Sequence, residues 1–193
     1  MAQYGFYFDM ARCIGCKTCQ IACKDVNDLP VGILYRKATN YEVGNFPNVG
    51  AFSFSTSCNH CANPACVANC PVGAMQKDEE TGIVSVDQSI CIGCRTCTLV
   101  CPYGVPQMRE DLGVSSKCDA CARLRALGEQ PACVNACPAR ALDFGDLEEL
   151  AQKYGPELAN EFPVMGSAEA TQPSVLIKLK PCALEPEYRL SFC

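Results

Sequence analysis

CIGCKTCQIAC at residues 13–23 returns as CIGCRTCTLVC at 91–101. Both read C-x2-C-x2-C-x3-C. Three thiolates spaced this closely wrap a tight loop around one cube of iron and sulfide. The fourth cysteine lies four residues further on, about 6 Å along a helix, and faces a second cube. Gly15 and Gly93 let the backbone approach, so that its N–H groups can point at sulfur. This is the spacing of bacterial [4Fe–4S] sites.

Two further groups extend the pattern: Cys58, Cys61, Cys66, Cys70 and Cys118, Cys121, Cys133, Cys137. Proline follows the last cysteine in groups two, three and four, as Pro71, Pro102 and Pro138. Sixteen of eighteen cysteines thus fall into four fours, enough for four [4Fe–4S] clusters with a protein ligand on every iron. That predicts a wire for electrons and no catalytic residue. Zinc sites favour two CxxC pairs, often with histidine, whereas here triple-cysteine runs dominate and His60 is the single histidine. A disulfide framework calls for a secretory route, and MAQYGFYFDMARC lacks the apolar stretch of a signal peptide.

The 193 residues make one compact unit or two small ones. No apolar run is long enough to span a bilayer. The formal charge of −5 treats cysteine as neutral; four oxidised clusters bring the holoprotein to about −13, which disfavours nucleic acid and anionic membrane. Basic residues beside the motifs (Lys17, Lys24, Arg95, Lys117) then gain weight locally, although solvated surface charge is the plainer reading.

A second repeat, PACVANCPVGAM at 64–75 and PACVNACPARAL at 131–142, makes the chain a duplication of a two-motif unit. Groups two and three are joined by PVGAMQKDEETGIVSVDQSI, a short linker with an acidic turn and a strand, so these two groups are paired. Groups one and four then pair around them. The expected ligand sets are Cys13, Cys16, Cys19, Cys137 (set 1); Cys58, Cys61, Cys66, Cys101 (set 2); Cys70, Cys91, Cys94, Cys97 (set 3); and Cys23, Cys118, Cys121, Cys133 (set 4). In-order pairing, one with two and three with four, is the alternative. The expected fold is α+β: two nested ferredoxin-like βαβ-type units, metal-dependent. Residues 1–50 and 106–155 form the outer unit, 51–105 the inserted one, and 156–193 an extended C-terminal tail.

YGFYFD (4–9), AFSFS (51–55) and IVSVD read as strands, and short helices are expected after the third cysteine of each group. Asp146 followed by Glu148-Glu149 predicts a helix to about Tyr154, stopped by Gly155-Pro156. The proline-spaced tail contains the strand SVLIKL, and either packs on its own domain or drapes over a partner.

The stretches QYGFYFDMARCIGCKTCQIACKD, SCNHCANPACVANCP, CIGCRTCTLVCPYGVPQ, KCDACARL and PACVNACPARALDFGDLEEL resemble the four-cluster ferredoxin subunit of molybdopterin oxidoreductases, as in dimethyl sulfoxide reductase. The resemblance covers residues 3 to about 150. It implies a subunit relaying single electrons between a large molybdenum or tungsten bis-pterin catalytic subunit and a membrane quinol-oxidising subunit. It also implies a place on the extracytoplasmic face of the cytoplasmic membrane, reached with a partner bearing a twin-arginine signal; a cytoplasmic home is the alternative. A free polyferredoxin serving a hydrogenase or formate enzyme is the other functional reading.

Among the remaining residues, His60 in CNHC is expected to hydrogen-bond near a cluster, or to couple cluster potential to protons. Lys17 and Arg95 are expected beside clusters. Tyr7 and Tyr103 read as aromatic core that could border electron paths, and Cys182 and Cys193 as incidental thiols.

Overall fold

The computed structural model describes residues 2–191; Cys193 lies outside them. The elements in chain order are β1 (Tyr4–Asp9), α1 (Thr18–Val26), β2 (Lys37–Asn45), β3 (Asn48–Thr56), α2 (Ala65–Ala68), β4 (Met75–Lys77), β5 (Val84–Val86) and α3 (Thr96–Val100). Then follow β6 (Gln107–Arg109), β7 (Val114–Ser116), α4 (Ala122–Arg125), α5 (Ala132–Asn135), β8 (Leu142–Asp146), α6 (Leu147–Tyr154), β9 (Val175–Lys178) and β10 (Tyr188–Ser191). Small sheets and few, short helices leave the interior to cysteine. Eight of the sixteen motif cysteines are buried.

β1 is the centre of a sheet ordered β8-β1-β9. It runs antiparallel to β8, from Tyr4↔Asp146 to Phe8↔Leu142, and parallel to β9, from Phe6↔Val175 to Asp9↔Lys178. Being central, it buries both faces, so Phe6, Tyr7 and Phe8 are all buried and the simple in–out alternation is lost. Phe144 and Ile177 complete the apolar layer beneath it.

A long hairpin, β2–β3, pairs from Lys37↔Thr56 to Asn45↔Asn48, and β10 adds to the free edge of β2. The hairpin runs across residue 50, the boundary expected between the two units. β4–β5 and β6–β7 are short hairpins. Residues 156–191 therefore pack on their own chain, contributing the edge strands β9 and β10 of two sheets.

The sequence expectation differs from the structure in two local features. The third cysteine lies inside its helix rather than before it: Cys19 in α1, Cys66 in α2, Cys97 in α3, Cys133 in α5. In α1 and α3 the wrapping loop ends on left-handed residues, Lys17 (φ 62°) and Arg95 (φ 64°), so the helix starts before that cysteine. Cys19 and Cys23 then sit one turn apart on the buried face of α1. The βαβ description also holds only as element order, because β1 and β8 pair antiparallel. The predicted cap of α6 forms: Asp146 Oδ1 accepts from the backbone N–H of Glu148 at 2.9 Å, and Gly155 (φ 89°) ends the helix.

Candidate metal centres

Among the described residues, no three His, Cys, Asp or Glu side chains come together as ligands of one metal ion. The cysteines instead surround cavities. Cys13, Cys16, Cys19 and Cys137 line one, with Phe8, Ala38 and Leu142 around them. Cys70, Cys91, Cys94 and Cys97 line a second. Cys58, Cys61, Cys66 and Cys101 line a third, together with Tyr103 and Lys117. Cys23, Cys118, Cys121 and Cys133 converge as well: Cys23 feels the charge of Cys133 and Cys121, and Cys118 that of Cys23 and Cys133. Cys137 thus joins the first group's cysteines, and Cys70 joins the third's.

The helices explain this convergence. α1 packs on α5, bringing groups one and four together across more than a hundred residues, and α2 packs on α3. Each of the two repeated loops turns through glycine, Gly15 (φ 69°) and Gly93 (φ 66°). A Cβ at Gly93 would stand 2.4 Å from Gly113 O, so only glycine fits there.

The donor set suits a multi-iron thiolate cluster. Backbone N–H groups donate to sulfur at Cys70 (from Met75, 3.5 Å), Cys91 (Ser115, 3.4 Å), Cys118 (Ala120, 3.3 Å) and Cys137 (Ala141, 3.3 Å). Thr18 Oγ1 lies 3.3 Å from Cys16 Sγ and Thr96 Oγ1 3.4 Å from Cys94 Sγ; these hydroxyls pull both thiols down from their usual range. Burial pushes Cys23 and Cys66 up to about 12, so their ligation must release protons. Cys58 moves the other way, to about 6: burial opposes ionisation there, and His60 and Lys117 beside it outweigh it. Among the described residues four buried donors have no protein partner: Asn59 Nδ2, whose residue lines the third cavity, His60 Nε2 and two nitrogens of Arg36. Cluster sulfur is the acceptor such donors fit.

His60 is wholly buried, and its Nδ1 accepts from Val84 N at 3.0 Å, which leaves Nε2 as the donor. Lys17 and Arg95 are exposed, and Arg95 pairs with Glu110 at 2.8 Å. Lys117 departs from the solvated-charge reading. It is 4% exposed, and its ammonium donates to Val84 O, to Cys118 O at 2.9 Å and toward Cys58 Sγ at 3.7 Å. Tyr7 stacks on Tyr154, and Tyr103 OH bonds Thr171 Oγ1 at 2.8 Å. Cys182 reaches Ala51 O at 3.8 Å and touches no motif.

Sequence reasoning missed Ser55, Ser115 and Arg36. The serines were findable, since each stands three residues before the first cysteine of its group, Cys58 or Cys118. Arg36 carries no local signal.

A family model described as a 4Fe-4S dicluster domain matches residues 49–147, and one described as a 4Fe-4S binding domain matches 10–32. The chain is 48% identical over 184 residues to YnfG of Escherichia coli K12, a probable anaerobic dimethyl sulfoxide reductase component, covering 91% of this chain and 88% of that one. The B subunit of anaerobic dimethyl sulfoxide reductase from the same organism is 47% identical over the same shares. The thiosulfate reductase electron transfer subunit PhsB of Salmonella typhi is 45% identical over 150 residues, 76% of this chain and 78% of the relative. With its ferredoxin domains and its cysteine groups, the chain binds [4Fe–4S] clusters, and it belongs to the family of iron–sulfur electron-transfer subunits that includes the B subunit of dimethyl sulfoxide reductase.

Proposed function

We propose that the four cysteine sets hold one [4Fe–4S] cluster each, in two nested two-cluster units, and pass electrons in the order set 1, set 4, set 2, set 3. The observation that carries this order is where the ligands meet solvent. Cys16 of set 1 and Cys94 of set 3 are exposed, each beside an exposed isoleucine, Ile14 or Ile92. All four cysteines of set 4 are buried. A wire with accessible ends and an insulated middle matches that gradient. Neighbours along it are linked through Cys19 and Cys23 on α1, and through Cys118, which feels the charge of Cys58.

Each cluster supplies a one-electron redox step; the chain positions it and sets its potential. The relatives' names, as components of reductases, support a catalytic partner. One end would face a large molybdenum or tungsten bis-pterin catalytic subunit, and the other a membrane quinol-oxidising subunit on the extracytoplasmic face. No helix among the described residues is long and apolar enough to cross a membrane, so anchoring would fall to that second partner.

Affinity isolation from native cells tests the reading. A stable large partner containing molybdenum or tungsten is expected, with about sixteen irons in this chain. A lone monomer would instead indicate a free polyferredoxin.

A further inference from the structure

The guanidinium of Arg36 is buried among cysteines. The residue is 2% exposed, yet Nε and Nη2 have no protein partner. Nη1 donates to Ser55 O and to Ser55 Oγ, both at 3.1 Å, and Cζ lies 4.4 Å from the centre of the Phe6 ring. Among the described residues no carboxylate pairs with it. A permanent cation cannot stay buried without a counter-charge. The groups that favour its charge against burial are Cys133, Cys19, Cys118 and Cys23. Cys19 belongs to set 1, and the other three to set 4.

The other half of the duplication lacks this device. Ser115, the counterpart of Ser55, has its carbonyl bonded by Gln88 Nε2 at 3.3 Å, from a neutral and exposed side chain. The same backbone position therefore receives a buried charge beside Cys19 of set 1 and a solvated amide beside Cys97 of set 3.

We propose that Arg36 is the shared counter-cation of the clusters held by sets 1 and 4, and that it raises the reduction potential of both. A fixed positive charge favours the form that has gained an electron, so one residue lifts two neighbouring potentials together. Its bond to Ser55 Oγ also leaves the serine proton free to point at Cys19 Sγ, 3.3 Å away. The two unpaired nitrogens are then donors to cluster sulfur. This inference rests on the ligand sets proposed above.

The test is a redox titration of the full-length holoprotein, followed by electron paramagnetic resonance, with iron analysis of every sample. Arg36→Gln should shift two of the four midpoint potentials downward and leave two in place. Arg36→Lys, which keeps the charge, should hold all four near the wild-type values. Cys137→Ser should delete one of the shifting signals, and Cys70→Ser one of the fixed ones. Four unmoved potentials in Arg36→Gln overturn the proposal, as does a shift confined to the inner pair. If Arg36→Gln loses iron, Arg36→Lys decides: full iron with wild-type potentials supports a charge role, and equal loss makes Arg36 a packing residue. Wild-type protein with fewer than about sixteen irons would sink the ligand sets first, and this inference with them.

Discussion

Ser55 Oγ stands 3.3 Å from Cys19 Sγ, at the back of the first cysteine cavity. Ser115 Oγ repeats the contact with Cys97 at 3.1 Å. With the cysteine bound as thiolate, the hydroxyl is the donor, and such bonds stabilise the more negative reduced cluster. Ser55→Ala and Ser115→Ala should each lower one midpoint potential, a different one in each variant. The expected size is about 1 kcal/mol, or ~40 mV for one electron. A potentiometric titration of both variants checks it; the same signal moving in both would contradict the duplication.

Lys117 sits between Cys58 and the backbone of Cys118. Methionine has a similar length and no charge. Lys117→Met strands the carbonyls of Val84 and Cys118, at a cost of about 1–3 kcal/mol in stability. It should also lower the potential of the cluster bound by Cys58. Thermal melting and potentiometry read the two effects separately, and a lower melting temperature with every potential intact would make the lysine purely structural.

Alanine at the repeated loop glycines should discriminate between the halves. Both positions need positive φ. At Gly15 the new Cβ meets the ends of side chains, Asn40 Oδ1 at 2.5 Å and Ser53 Oγ at 2.8 Å, which can shift. At Gly93 it meets backbone, Gly113 O at 2.4 Å. Gly15→Ala is expected to cost about 1–3 kcal/mol and keep its cluster. Gly93→Ala should lose about four irons per chain, the content of one cubane. Equal iron loss in both variants would show that backbone conformation, rather than the close approach, governs.

The dock of α6 depends on a carboxylate. Asp143 Oδ2 accepts from Lys153 Nζ and from Tyr154 OH, each at 2.7 Å. Burial opposes its ionisation, but these two bonds prevail and its pKa falls below the usual carboxylate value. A depressed folded pKa gives stability that is present at neutral pH and lost as pH falls through that pKa. Asp143→Asn should therefore loosen α6 at pH 7 by about 1 kcal/mol, with the gap to wild type closing below the carboxylate range. Hydrogen-exchange protection of residues 147–154 measures this, and a gap that persists in acid would point to shape instead of charge.

Removing iron should unfold most of the chain. Buried cysteines from every group, Cys19, Cys58, Cys97 and Cys133, occupy interior space that an ordinary core gives to aliphatic side chains. Chelation followed by circular dichroism should show broad loss of structure. Retention of the native spectrum would mean that the β8-β1-β9 sheet holds the fold unaided.

The cysteine grouping was legible because cluster ligation demands fixed short spacings, and the α6 cap because Asp146 acts on its own neighbours. β1 was legible as a strand but not as a central one, since that depends on Val175–Lys178 far along the chain. β2 escaped notice: KATNYEVGN is too polar to announce a strand, and it forms because β3 and β10 flank it. Arg36 precedes that strand and reads like any surface arginine. The cysteines that favour its charge lie up to about a hundred positions away, which no local pattern encodes.

The placement of β1 has a consequence for biogenesis. Tyr4–Asp9 leaves the ribosome more than a hundred residues ahead of both its sheet partners, β8 and β9. With the proposed ligand sets, the stretch from Cys58 to Cys101 holds two complete sites and can gather its iron while translation continues. In the ligand sets proposed above, Cys13, Cys16 and Cys19 wait for Cys137, and the sheet beside them closes only after residue 178. With those sets, a chain interrupted before residue 137 can mature in its middle but not at its start, so the closed β8-β1-β9 sheet certifies that translation has passed residue 178 before the wire is joined end to end.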